Sequence, residues 1–316
     1  MAVKVGMTTN KLLKSIKVRA MVPNSSITFS DEDLIDFLNE EMQIGMVESI
    51  LQMKDDYLVF KEVVPIETSK KNYTIPERAL GNKVREISFV DGNNEYEMTQ
   101  IAVDDRYQNL GMTRSFGFMR QFYVQGSDVY PYPEIDNNGY GALAFYYYMR
   151  PNELVKDDKV ATIKSIDTVN GIITVDRIPT EYKTDSLYDI ISVSSPHQIR
   201  KINITVSNIN SLTKTISVSV SDLDQIKVGD MIPLAGQSCI PNIPTELHVI
   251  LAQRVACRIL EAIGDSQGLT NANNKLQEME GKVGILLDNR FEGSPKKVVN
   301  RNSIKTLRGR YGRTIY

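Results

Sequence analysis

The residues able to do chemistry are few. Among 316 residues there are two histidines and two cysteines. His248 stands two residues after Glu246, where a helix is expected to begin. Zinc proteases need a second histidine four residues on, and Ala252 occupies that place. A lone imidazole has no ligand set to join, so His248 reads as a surface or interface residue. His197 follows Ser195-Pro196 without the glycine-flanked serine turn of hydrolases, so no nucleophile–base pair is signalled. Cys239 and Cys257 have no CxxC partner and read as free thiols of a reducing compartment. Asp222, Asp224 and Asp230 lack the spacing of a calcium loop. No GxGxxG or P-loop pattern is present to cradle phosphates.

Two patterns leave chemistry open. Asp104 or Asp105 could approach Asp136 as a carboxylate pair for glycoside cleavage, although a chain with 39 acids offers many such pairs. Tyr123, Tyr130, Tyr132, Tyr140, Tyr146, Tyr147 and Tyr148 could form a sugar-stacking surface. A buried strand with aromatic loops at a subunit contact accounts for them equally well. The expectation is therefore a chain that is not an enzyme, with no catalytic residue, no cofactor and no metal.

Composition agrees with an ordinary globular chain of one large or two modest domains: hydrophobic residues are 41% and charged residues 24%, which excludes global disorder. The longest apolar stretch, 142–149, is far below the ~20 residues that span a bilayer, and the first residues lack the apolar core of a signal peptide; no membrane is expected. The net charge of −2 is unevenly placed. Residues 1–20 carry Lys4, Lys11, Lys14, Lys17 and Arg19 and no acid. Residues 31–56 carry Asp31, Glu32, Asp33, Asp36, Glu40, Glu41, Glu48, Asp55 and Asp56 against Lys54 alone. The stretch 294–316 carries Lys296, Lys297, Arg301, Lys305, Arg308, Arg310 and Arg313 and no acid. Removing those seven charges from −2 leaves −9 on the remainder. The basic end reads either as a solvated tail or as one that orders on an acidic partner, a neighbouring subunit or nucleic acid.

The elements that must carry these groups follow from periodicity. Leu12, Leu13, Ile16 and Met21 suggest a short amphipathic helix ending before Pro23. Ser30 precedes three acids, a helix-start signal, and Leu34, Phe37, Leu38, Met42, Met46, Ile50 and Leu51 continue a helix over 31–53. From Tyr57 the period becomes that of strands. Residues 84–90 and 95–101 flank the turn 91–94 and predict a hairpin, and 142–149 reads as one well-buried strand.

Residues 158–234 alternate apolar and polar positions and contain a repeat. Ile163, Ile166, Val169, Ile173 and Val175 match Val206, Ile209, Leu212, Ile216 and Val218 at a constant offset of 43. One copy is a small curved sheet that cannot cover its own apolar face, and two copies facing each other can; a barrel or sandwich is expected. Pro244 is compatible with the first position of a further helix whose stripe runs Leu247, Ile250, Leu251, Val255, Ile259 and Ile263 to Gly264. A second helix over 269–289 would return antiparallel, with close packing at Gly281 and Gly284. The simplest assembly is an α+β body made by both chain ends (1–157 and 235–293), an inserted all-β domain (158–234) and a basic tail (294–316).

Three segments together carry a family resemblance: TNKLLKSIKVRAMVPNSSITFSDEDLIDFLNEEM, IPTELHVILAQRVACRILEAIGD and LQEMEGKVGILLDNRFEGSPKKV. They resemble the head-to-tail connector (adaptor) ring proteins of tailed bacteriophages, most closely the portal-proximal ring protein of crAss-like phages. The resemblance implies a non-catalytic virion protein of the phage neck, assembled in the host bacterial cytoplasm. Its body would be a helical/β connector formed by both chain ends. Its partners would be copies of itself in a ring, usually of twelve, the portal protein above and the next tail ring below, with packaged DNA passing through the lumen. The portal or inter-subunit contacts it implies fall on Lys296, Lys297, Arg301, Lys305, Arg308, Arg310, Arg313 and Tyr316. Asp31, Glu32, Asp33, Asp36, Glu40 and Glu41 form an acidic helix that could face a neighbour's basic ends. Another phage structural role (tail tube, capsid decoration or host recognition) remains an alternative, and a carbohydrate-active enzyme a more distant one.

Overall fold

The structure is a computed structural model and describes residues 6–21, 29–53, 56–107, 121–132, 141–194 and 197–286. The basic stretch 294–316 lies outside the described residues. The fold is mixed α+β, with helices, several small sheets and a closed six-stranded barrel.

Helix α1 (Thr9–Arg19) buries Leu12, Leu13 and Ile16. Met21, expected on the same apolar face, is 89% exposed. It lies past the helix end at φ 53°, off the helical screw that would have returned it to the core. Helix α2 (Asp31–Glu40) starts with a reciprocal cap. Asp33 N–H donates to Ser30 Oγ at 3.1 Å, and Ser30 N–H donates to Asp33 Oδ2 at 2.7 Å. The helix runs through a wider π turn, Glu41–Met46, into α3 (Val47–Met53), so the expected helix over 31–53 is continuous. Ile44, two residues from both Met42 and Met46, points away from them and is 75% exposed, while the two methionines stay buried.

Eight strands follow: β1 (Val59–Pro65), β2 (Tyr73–Thr74), β3 (Ala79–Asp91), β4 (Asn94–Glu97), β5 (Thr99–Gln100), β6 (Gln121–Gln125), β7 (Asp128–Tyr132) and β8 (Ala142–Met149). They form one sheet in the order β1-β8-β3-β4 and another in the order β2-β7-β6-β5. The expected hairpin is β3–β4, closed where Asp91 pairs with Asn94 and Gly92 takes φ 57°. Strand β8 is central and flanked on both edges, with Leu143, Ala144, Phe145 and Tyr147 fully buried. Ile66, Tyr73, Ile87, Phe89, Phe122, Val129 and Phe145 belong to one apolar core fed by both sheets.

Strand β9 (Glu153–Leu154) leads into the barrel. Its strands are β10 (Ala161–Asp167), β11 (Ile172–Val175), β12 (Leu187–Ile191), β13 (Ile199–Asn210), β14 (Thr215–Val218) and β15 (Met231–Ile232). They close in the order β10-β11-β14-β13-β12-β15. The 43-residue repeat extends to the backbone. Ile163 pairs with Val175 and Ile166 with Ile173; Val206 pairs with Val218 and Ile209 with Ile216. Both hairpins carry a bulge at the same place, between Ile163 and Ser165 and between Val206 and Asn208. Asp167 Oδ1 caps the N–H groups of Val169 and Asn170, as Asn210 Oδ1 caps those of Leu212 and Thr213. Ile163, Ile173, Val175, Val206, Ile216 and Val218 fill the interior from both copies.

The repeat breaks informatively at one position. Gly171 takes φ 69°, and a Cβ on it would run into Val218 O. The equivalent Lys214 takes φ 55° with a full side chain. Gly171→Ala is expected to cost about 2 kcal/mol, whereas Lys214→Gly should be neutral or stabilising by up to about 1 kcal/mol. Urea unfolding of the two variants checks the contrast, and equal losses would exclude the strain argument.

The chain leaves the barrel through β16 (Gln237–Ser238), which pairs in parallel with β9, so the barrel's two connections lie side by side. Pro244 precedes a short 3₁₀ turn, Thr245–Leu247, and helix α4 begins at His248, later than expected. Helix α4 (His248–Ile263) is capped by Gly264 at φ 82°, and α5 (Ser266–Leu286) follows after two intervening residues, Gly264 and Asp265. Gly281 faces open space, so the close packing expected there is absent. Leu12, Leu38, Met42, Ile250, Leu251, Val255, Ile259 and Val283 share a single core, which brings helices from both ends of the chain together.

Candidate functional site

The acidic helix is the part of the expected interaction surface that the structure describes. Most of its charge is matched within the chain. Asp31 accepts from Lys17 at 2.6 Å and Glu32 from Lys156 at 3.0 Å. Glu40 accepts from Arg258 at 2.7 Å, and Glu41 lies 3.4 Å from Arg258 and 3.9 Å from Arg254. Asp33 is engaged by Ser30, whose hydroxyl holds that carboxyl below its ordinary range. Asp36 is exposed and has no ion pair or hydrogen bond among the described residues. Lys296, Lys297, Arg301, Lys305, Arg308, Arg310, Arg313 and Tyr316 lie outside the described residues. Arg254 and Arg258, the bases that neutralise this helix, come from α4, more than 200 residues away in sequence (Arg258 to Glu40 spans 218). No local pattern could have revealed them.

The two histidines are not at the surface. Both are fully buried, with ring centroids 5.8 Å apart. This corrects the expectation for His248: the start of α4 is packed beneath the N-terminal segment rather than presented to solvent. His197 sits in the turn between β12 and β13 at φ 56°, with its N–H donating to Ser194 O at 2.8 Å. Its Nδ1–H donates to Ser192 O at 3.3 Å, and Nε2 has no hydrogen-bond partner among the described residues. His248 Nδ1 accepts the Met7 N–H at 3.1 Å and its Nε2–H donates to Ile243 O at 3.2 Å. Gly6 runs past both rings, and a Cβ there would overlap His197 Nε2 and crowd His248. Burial lowers the His197 basicity and takes His248 down to about 4. Both rings are thus neutral near pH 7 and act as a clamp on the N-terminal segment. A cleft of about 200 Å³ beside His197 is lined by Tyr57, Lys61, Arg150, Gln198 and Asn242.

A second buried polar centre joins the barrel to the sheet. Asp189 on β12 is fully buried. Its Oδ2 accepts from Arg78 at 2.8 Å, Asn152 at 2.9 Å and the Gly236 N–H at 3.0 Å, and its Oδ1 accepts the Asn203 N–H at 3.1 Å. Asn203 takes φ 54° at an irregularity of β13, which turns its N–H toward the carboxylate. Asp230 is likewise buried, 2.7 Å from Arg200 Nε. Both carboxylates act as structural anchors; Arg78, Asn152 and Gly236, which hold Asp189, also line a cleft of about 300 Å³ with Gln43, Glu77 and Arg150.

The other candidates separate. Asp104 and Asp105 lie on a 3₁₀ turn (Val103–Tyr107), and Asp136 and Tyr140 are outside the described residues. The tyrosines of β8 alternate between its two faces: Tyr147 is buried and donates to Glu62 at 3.1 Å, while Tyr146 donates to Glu95 at 2.8 Å on the outer face. Tyr123 and Tyr130 stack on each other at 4.9 Å in the other sheet, and Tyr132 is buried. No continuous tyrosine platform results among the described residues. Cys239 and Cys257 are free and buried; burial pushes the Cys239 thiol up to about 12 and raises that of Cys257, which makes both unreactive. Among the described residues no group of three potential metal ligands converges, and no helix is long and apolar enough to cross a membrane. No protein-family model and no curated protein sequence matches the chain.

Proposed function

We propose that this chain is a structural virion protein, a connector ring subunit that joins a phage portal to the tail and continues the DNA channel. One observation carries the reading. The segments that resemble connector proteins include α1, α2, α4 and the second half of α5, and those helices share one core through Leu12, Leu38, Leu251 and Val283. Segments more than 200 residues apart therefore act as a single helical unit, which serves as the connector body formed by both chain ends. The barrel, tethered through β9 and β16, is carried on that body as an inserted domain. The exposed charges supply contacts for copies of the chain, and the basic stretch 294–316 supplies the contact to the portal. The site of action is the virion neck, after assembly in the bacterial cytoplasm.

Native mass spectrometry or negative-stain microscopy of the full chain with the portal protein tests the reading. A closed ring seated on the portal is the expected result; a protein that stays monomeric and ignores the portal overturns it. Deleting Ser294–Tyr316 is expected to abolish portal binding while shifting the monomer's melting temperature by less than about 2 °C. A large loss of monomer stability would show that the stretch packs on its own body.

A further inference from the structure

Two helix faces stay unmatched within one copy. On α1, Lys11, Lys14 and Val18 lie along one line opposite the buried Leu12 and Ile16. Neither lysine has an ion pair or hydrogen bond among the described residues, and Val18 is 70% exposed. These three residues, with Ser15 and Arg19, line a shallow groove. On α2–α3 the corresponding outer face carries Asp36, Ile44 and Glu48, all exposed. Asp36 has no partner among the described residues, and Glu48 accepts only from Gln52 of its own helix at 3.2 Å. The remaining acids of α2 and the adjoining π turn are already matched, so these are the charges left over.

The two faces are complementary in sign and in spacing. Lys14 and Val18 are four residues apart, and so are Ile44 and Glu48. One helical turn, about 6 Å of rise, separates the charged from the apolar residue on each face. The order is charge then apolar on α1, and apolar then charge from the π turn into α3. Antiparallel placement therefore sets Val18 on Ile44 and Lys14 on Glu48 at once, whereas parallel placement aligns one pair at most. Both faces are exposed in a single copy, so the pairing needs two. We propose that α1 of one copy docks antiparallel on α2–α3 of the next copy through these residues. Different faces meet, so each added copy leaves one of each free and the contact repeats until it closes. This inference rests on the ring reading and names the surface through which neighbouring subunits touch.

A charge exchange tests it. Lys14→Glu, Glu48→Lys and the double variant K14E/E48K are compared with the wild-type full chain by sedimentation at low salt, alone and with the portal protein. Both substituted positions are exposed, and unchanged melting temperatures show that the fold is intact. Each single reversal sets like charges against each other and is expected to weaken self-association about tenfold or more; the double variant should recover most of that loss. Association that is equal in all four proteins, or a double variant no better than the singles, overturns the docking surface and leaves the ring reading standing. A wild-type chain that never associates, with or without portal, overturns both.

Discussion

Asp189→Ala is expected to destabilise the protein by about 3–5 kcal/mol, the largest loss for any single substitution considered. The carboxylate is fully buried and receives four hydrogen bonds, from Arg78, Asn152 and the backbone of Asn203 and Gly236. Truncation leaves a mostly buried guanidinium and two backbone N–H groups, each without its acceptor. The damage is also architectural. Arg78 precedes β3 and Asn152 follows β8, whereas Asp189 and Asn203 belong to the barrel. One side chain thus fixes the barrel against the sheet that leads into it. Urea unfolding followed by tyrosine fluorescence is a suitable readout, since the chain has 15 tyrosines and no tryptophan. A loss below about 1 kcal/mol would show that the joint is held elsewhere. The pairing with Arg78 is separable: the double variant R78M/D189L should lose less than the sum of R78M and D189L.

The second large effect is a loss of stability in acid. Burial holds the His248 imidazole neutral down to about 4, against 6.5 for an ordinary histidine. The unfolded chain therefore takes up a proton at a higher pH than the folded chain. Stability from the neutral ring is complete above pH 6.5, declines as pH falls from 6.5 to about 4, and levels off below. The full decline is about 3 kcal/mol. The geometry gives the same sign. A proton on Nδ1 would set an N–H against the Met7 N–H that it now accepts, and the neighbouring titratable ring, His197, offers no compensating negative charge. Stability measured by denaturant at pH 7, 6, 5 and 4.5 should fall along this curve. A His248→Gln variant, less stable at pH 7, should show a flatter pH dependence over the same range. An unchanged slope in that variant would assign the acid sensitivity to other groups.

The legible part of this protein was its local order. Ser30 and the acids after it marked the start of α2, and the apolar spacing from Leu34 to Ile50 carried the helix to residue 53. The 43-residue offset was visible as alternation, and the backbone repeats it down to the position of a bulge. Both signals arise from hydrogen bonds between residues a few positions apart, whose period the side chains must follow. Met21 escaped this logic because the helix had already ended.

The sequence by itself determined which stretches are helix or strand, that two β copies need each other, and that no familiar catalytic motif is present. Only the tertiary structure decided which charges are left over and which polar groups are buried. Arg78 meets Asp189 across 111 residues, and His248 holds Met7 across 241. The acid-rich helix looked free along the chain, yet Lys17, Lys156, Arg254 and Arg258 neutralise most of it in space. Burial and charge pairing depend on distances through the folded body, and no periodicity along the chain encodes those distances.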